Sequence, residues 1–234
     1  MAMPGTGCFI ATHDILPGRE ADYENWHTHE HMIERLAIPG FLRGMRYRSA
    51  SQSSPQVCTI YQVDSLSTLT SPAYLERLNN PTPWTIESVP LGVGMTKTFC
   101  NVAASFGHGI GGYLGMIQLM PKADCQSQAQ HWLLEETLPG LAKQPGLCGA
   151  HLLIGDPEAS RTKAKERELR SEAAAVADWI VLIEGYDKKV TDASVRQLCA
   201  PDSQLAHKSG THSDSGLLFC LDFSLDEGEA KPLA

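Results

Sequence analysis

Apolar and polar positions alternate in eight short runs along the 234 residues, four in each half. Cys8–Ile15, Gly44–Ser49, Val57–Val63 and Thr96–Ala103 are rich in β-branched, aromatic or alternating residues and predict strands. Tyr113–Met120, Gly149–Ile154, Trp179–Tyr186 and Leu217–Phe223 predict four more. Ala21–Ile38, Thr70–Asn79, Ala123–Lys143 and Thr191–Cys199 carry the longer spacing of helices. On a helical wheel, Tyr23, Trp26, Ile33 and Ala37 share the face of the first helix that should pack on a sheet, with Glu30 at its edge.

The halves match at an offset of 106: Trp26 falls on Trp132, Glu30 on Glu136, Pro39 on Pro145, Gly40 on Gly146 and Phe41 on Leu147. Each segment predicts a helix and then a stop, because Pro cannot continue a helix and Gly tolerates a left-handed cap. Phe99-Cys100 resembles Phe219-Cys220 at an offset of 120, which implies an insertion in the second half. Its expected place is Asp156–Ala177, where Arg161, Lys163, Lys165, Glu166, Arg167, Glu168, Arg170 and Glu172 crowd into a solvated loop with a short helix. The glycine-rich stretch Phe106–Gly112 predicts a flexible turn between modules 1–106 and 107–234, and its glycines lack dinucleotide-binding spacing. Each half has the order β-α-β-β-α-β of a ferredoxin-like module, so the expected class is α+β with two tandem modules.

Composition narrows the function. The formal charge of −8 argues against non-specific nucleic-acid binding, and no apolar run is long enough to span a bilayer. No secretory signal is visible, and the seven cysteines form no C-x-x-C pair. The chain reads as a cytoplasmic protein whose thiols are buried hydrophobes.

The segment Tyr23-x-x-Trp26-His27-x-x-Glu30-His31-x-x-Glu34-Arg35-Leu36-x-Ile38-Pro39-Gly40-Phe41, followed by Arg46-Tyr47-Arg48, resembles the EthD-like members of the dimeric α/β-barrel superfamily. The resemblance is sharp over about residues 8–65 and weaker in the second half, where Glu-His becomes Glu136-Thr137. It implies two ferredoxin-like modules packing their sheets face to face to form an α/β barrel, here within one chain. The superfamily includes muconolactone isomerases, antibiotic-biosynthesis and haem-degrading monooxygenases and polyketide cyclases, so the fold gives a range of functions.

The candidate site lies on the first helix. Glu30 is either paired within its module or an acid or base with its pKa raised by apolar surroundings. His31 matches the resemblance's His after Glu; Glu30 and His31 are therefore the expected catalytic pair. His27 shares the face of His31, and histidine moves protons near neutral pH. His13 ends the first strand near the mouth of the space between sheet and helices, unless it simply pairs with Asp14. Arg46 and Arg48 give one face of the second strand positive charge for an acidic ligand or for Glu30. Trp26, and Trp84 in a Pro-rich loop, complete the expected substrate-binding set as wall and lid or anchor. His27-Thr28-His29-Glu30-His31 also satisfies H-x-x-E-H, a zinc-hydrolase spacing that lacks a defined third ligand; Glu76, Glu87, His207 and His212 are the candidates.

No nucleophile elbow, phosphate loop or redox motif is present. The expected function is cofactor-independent acid–base proton transfer, isomerase- or lyase-like, on a small, largely apolar carbonyl, phenol or lactone. The expected partners are that ligand and a second copy of the chain, with neither nucleic acid nor membrane. The alternatives are a non-catalytic binding or assembly module and a barrel that holds haem through a helix His.

Overall fold

Strand alternation sorts side chains onto two faces of a sheet that closes on itself. The computed structural model describes residues 3–51, 55–161, 164–169, 176–211 and 216–230. The first half runs β1 (Gly7–Ile15), α1 (Glu20–Trp26), a π-helical turn (His27–His31), α2 (Met32–Leu36), β2 (Phe41–Ser49), β3 (Val57–Val63), α3 (Pro72–Asn79), α4 (Pro83–Ser88) and β4 (Gly92–Gly107). The second half runs β5 (Tyr113–Leu119), α5 (Gln126–Trp132), a second π turn (Leu133–Thr137), α6 (Leu138–Leu141), β6 (Leu147–Gly155), α7 (Pro157–Ser160), α8 (Lys165–Glu168), β7 (Trp179–Gly185), α9 (Lys188–Cys199), α10 (Gln204–Ser209), β8 (Gly216–Asp226) and α11 (Glu227–Ala230). The strand order β1-β3-β2-β8-β5-β7-β6-β4 closes into a barrel, antiparallel throughout.

Two ferredoxin-like sheets, β4-β1-β3-β2 and β8-β5-β7-β6, are zipped along both edges by β2·β8 and β4·β6. They face each other across one interior, as expected from the sequence, and closure leaves no edge unpaired. Cys8, Ile10, Tyr47, Leu114 and Phe219 fill that interior. On the outer faces, helices cover Phe41, Tyr61 and Phe99 in the first half and Ile117, Leu152 and Val181 in the second. Each large apolar side chain buried this way contributes roughly 1.5–3 kcal/mol of transfer free energy.

Three sequence expectations change. Cys8 pairs with Cys100 and Leu114 with Phe219, so the ladders align Cys100, not Phe99, with Phe219. Neighbouring strand residues face opposite ways, and Phe99 accordingly lies under the helices while Phe219 fills the barrel. The glycine-rich connection is built into the barrel in part: Phe106 and Gly107 end β4, while Gly109 and Gly112 stand open. Gly107 has a φ of 103°, and a Cβ there would lie 2.0 Å from the Cys148 carbonyl oxygen. In the charged insertion, Ala164 and Glu166 are buried, and the Lys165 amide donates to Asn79 of α3. Lys163, Arg170 and Glu172 of that insertion lie outside the described residues.

The wheel of the first helix also shifts. A π turn adds a residue to one turn, rotating the residues beyond it by about 100°. Met32, Arg35 and Leu36 therefore point inward, and Ile33 and Ala37 are exposed. Among the described residues no helix is long and apolar enough to cross a membrane, and the cysteines are free thiols.

Candidate active site

The π turn decides which side chains meet the sheet. Tyr23, Trp26, His27, His31 and Arg35 line a cavity of about 60 Å³ over the outer face of the first-half sheet. The sheet supplies Phe9, Ala11 and His13 from β1, Thr59 and Tyr61 from β3 and Lys97 from β4, and α8 of the second half supplies Glu166 and Arg167. At about 10–15 Å³ per water-sized group the space holds a handful of atoms.

Five of its rings form a chain. Tyr23 lies 5.1 Å from His13 and stacks on His27 at 5.4 Å; His27 lies 5.3 Å from His31, which is 4.3 Å from Trp26. Arg46 Nη1 is 3.3 Å from His27 Nδ1. A guanidinium only donates, so Nδ1 is the acceptor and the neutral ring carries its proton on Nε2. Burial pushes the His27 pKa well below its ordinary value, and Arg46, His13 and Arg35 add to the effect. His27 is thus an uncharged hydrogen-bond donor at neutral pH, as helix-poised imidazoles that polarise carbonyls are.

Arg35 Nη2 donates to both carboxylate oxygens of Glu166 at 2.5 Å, and both residues are buried. Burial opposes the Arg35 charge, but Glu166 and the nearby tyrosines hold its pKa above the ordinary value. Arg35 Nη1, the Tyr61 hydroxyl and Thr59 Oγ1 are buried with no hydrogen-bond partner among the described residues. Each such atom costs about 1–3 kcal/mol when left unsatisfied. Burial also keeps the Tyr61 phenol protonated by raising its pKa.

Of the residues singled out in the sequence, His13, Trp26, His27 and His31 meet at this cavity. Glu30 does not line it. Its Oε1 accepts from Thr82 Oγ1 at 2.7 Å and Thr85 Oγ1 at 3.2 Å, and Trp26 Nε1 donates to Thr85 Oγ1 at 3.3 Å. The extra residue of the π turn puts His31 where the regular wheel placed Glu30, and the carboxylate instead ties α4 to the helix. Arg46 also sits outside the lining. It donates to Asp222 Oδ2 at 2.6 Å and Thr28 Oγ1 at 2.9 Å, and so braces His27 from behind. Arg48 pairs with Glu24. Trp84 packs against the Ile15, Tyr23 and Trp26 cluster as an anchor of α4, not over the cavity. Asp14 accepts from the Gln56 amide, and His13 lines the cavity.

The sequence reading missed Arg35, Thr59, Tyr61, Lys97, Glu166 and Arg167. Thr59 and Tyr61 alternate with Ile60 on one strand face, and that alternation was the available signal. Nothing local in the insertion marks Glu166 as a buried residue.

Neither metal nor haem fits this arrangement. Among the described residues no group of three His, Cys, Asp or Glu side chains is placed to hold a metal ion, and the Arg46 guanidinium beside His27 repels a cation. His212 lies outside the described residues. With Glu166 in place the cavity is far below the roughly 300–1,000 Å³ of pockets that enclose drug-sized ligands, and it has no room for a porphyrin as it stands.

A second buried polar cluster stands at the β4·β6 seam. His151 Nδ1 is 3.0 Å from Ser105 Oγ, and Nε2 is 3.7 Å from Glu184 Oε1. Burial lowers the His151 pKa to about 4. It raises that of Glu184 to about 7, against the Gly111 amide and the Arg43 charge. Desolvation thus keeps His151 uncharged at neutral pH and brings Glu184 close to its midpoint there, and neither lines the cavity.

No protein-family model matches the sequence, and no curated protein sequence does. Solved structures do match. An anthrone oxidase-like protein superposes with a TM-score of 0.64 at 13% identity, covering 97% of this chain and 95% of its own. A monooxygenase-like protein of Lactobacillus acidophilus NCFM has a TM-score of 0.56 at 10% identity over 95% of this chain and 97% of its own. A mutant chlorite dismutase from Candidatus Nitrospira defluvii has a TM-score of 0.53 at 14% identity over 94% and 92%. At these identities the likeness is one of fold, and the fold is the ferredoxin-like α/β barrel.

Proposed function

We propose that the first-half cavity is the site of cofactor-independent acid–base chemistry on a small, largely apolar phenol, enol or carbonyl compound. One observation carries this reading: Arg35 Nη1, the Tyr61 hydroxyl and Thr59 Oγ1 are buried around the cavity without partners among the described residues. Such atoms are costly to the fold and suited to an oxygen-bearing ligand. In this scheme His27 donates its Nε2 proton in a hydrogen bond to the substrate oxygen, and His31 moves the proton. Arg35 stabilises the oxyanion that forms, and Trp26 and Tyr23 wall the site against water. Glu30 positions the helix and takes no part in proton transfer.

We place the chain with the EthD-like proteins on the strength of the segment Glu30-His31 to Ile38-Pro39-Gly40-Phe41. The likeness to an anthrone oxidase-like and a monooxygenase-like protein supports a second reading, in which the deprotonated phenol reacts onward with dioxygen. The two share their first step, so one experiment orders them. Incubation with small enolisable ketones and phenols in deuterated water, followed by proton NMR, reports exchange at carbon, while an oxygen electrode reports uptake. Exchange lost in His31→Asn and kept in Glu30→Gln is the expected result. Equal exchange in all three proteins and in buffer contradicts the proposal.

A further inference from the structure

Glu166 reaches the first-half cavity from the second half. It rides on α8, which is held by burial of Ala164, the Lys165 amide bonded to Asn79 Oδ1 at 3.2 Å, and the Arg167 guanidinium 5.1 Å above the Phe99 ring. Its carboxylate is the one acid among the described residues that line the cavity, against the cations Arg35, Lys97 and Arg167. Donors are also in excess there. Glu166 takes up Arg35 Nη2, while Arg35 Nη1, the Tyr61 hydroxyl and Thr59 Oγ1 have no acceptor among the described residues. The cavity of about 60 Å³ is tight for an aromatic ring while Glu166 is in place.

We propose that Glu166 is a built-in stand-in for the anionic end of the ligand. A small planar oxyanion, carboxylate or phenolate, binds by taking the place of Glu166 on Arg35, and α8 swings out with the displaced carboxylate. The incoming oxygens accept from Arg35 Nη1, the Tyr61 hydroxyl and Thr59 Oγ1. One negative charge replaces another, so the buried guanidinium is never left without a counter-ion, and its several N–H donors suit the two oxygens of a carboxylate or the single oxygen of a phenolate. This rests on the reading of the cavity as a ligand site and adds the ligand's charge and the residue it must displace.

The test is a titration of the full chain with 4-nitrophenolate, read by the ligand's absorbance, with benzoate as competitor and uncharged 4-nitroanisole as control. Glu166→Gln is expected to bind the two anions about tenfold or more tighter than the unmodified protein, with anisole binding unchanged. Displacement by benzoate extends the site to carboxylates; no displacement confines the exchange to phenolates and overturns the carboxylate half. Unchanged or weaker anion binding by folded Glu166→Gln overturns the exchange. Anisole binding as tightly as the anion in both proteins overturns it too, yet leaves the cavity a ligand site. Failure of every compound with both proteins overturns the exchange and the cavity reading together. Hydrogen exchange on the unmodified protein does not depend on the variant's folding: amides of residues 164–169 should exchange faster with saturating 4-nitrophenolate, and unchanged or slower exchange contradicts the proposal.

Discussion

The two halves of the barrel solve the same packing problem differently. Both first helices contain a π turn at the same place, His27–His31 and Leu133–Thr137. The offset of 106, shared by the two π turns, puts Leu119 where the first half has His13, Leu133 for His27 and Leu141 for Arg35, and the strand registers put Val181 for Thr59 and Ile183 for Tyr61. Where the first half has Phe9 and Lys97, the second has Gly115 and Gly216. A Cβ at either glycine would lie within 2.3 Å of Val195, because α9 rests directly on the sheet. The second half therefore shows what the fold itself needs at these positions: an apolar seal. The polar cavity of the first half is an addition that the fold does not require, and buried polar groups without partners are a cost to it.

That contrast can be broken at several points. The largest expected effect is Arg35→Met, which strands the buried Glu166 carboxylate and should cost about 3–5 kcal/mol in urea unfolding. Next come the seam groups. His151, neutral in both states above about pH 6.5, is protonated in the unfolded chain first as pH falls, so stability drops by up to about 3 kcal/mol between pH 6.5 and 4. Buried neutral His27 adds a loss of the same sign below pH 6.5. Glu184 acts in the opposite sense. The unfolded chain ionises it first above about pH 4.5, and stability falls by about 3 kcal/mol until pH 7. Glu184→Gln should remove that second loss, as measured by denaturation at pH 4.5 and pH 8.

Exchanging equivalent residues sharpens the comparison further. Leu133→His puts an imidazole into the second half's apolar seal and should cost about 2 kcal/mol or more, whereas His27→Leu should lie within about 1 kcal/mol of the parent in stability. The smallest effect is Glu30→Ala, a loss of about 1 kcal/mol from the missing Thr82 and Thr85 bonds, with ligand binding intact.

Much of the fold was legible because alternation and helical spacing are local. All eight strands and the four main helices fall where the pattern puts them, and the Pro-Gly stops end both first helices. The site was legible only in part. His13, His27 and His31 stand out by residue type, but the one-residue bulge of the π turn leaves no mark in a periodicity plot, and it moved Glu30 off the cavity and Arg35 onto it. Glu166 was unreadable for another reason: its partner Arg35 is 131 positions away, and a charge in a charged run looks solvated until the chain is folded.

The central claim is that the polar groups of the first half serve a ligand and not the fold. The most direct measurement takes Thr59→Val with Tyr61→Phe and determines melting temperature and 4-nitrophenolate affinity on the same sample. The account predicts a melting temperature equal to or above that of the parent and an affinity lower by about tenfold or more. A lower melting temperature with unchanged affinity would contradict it.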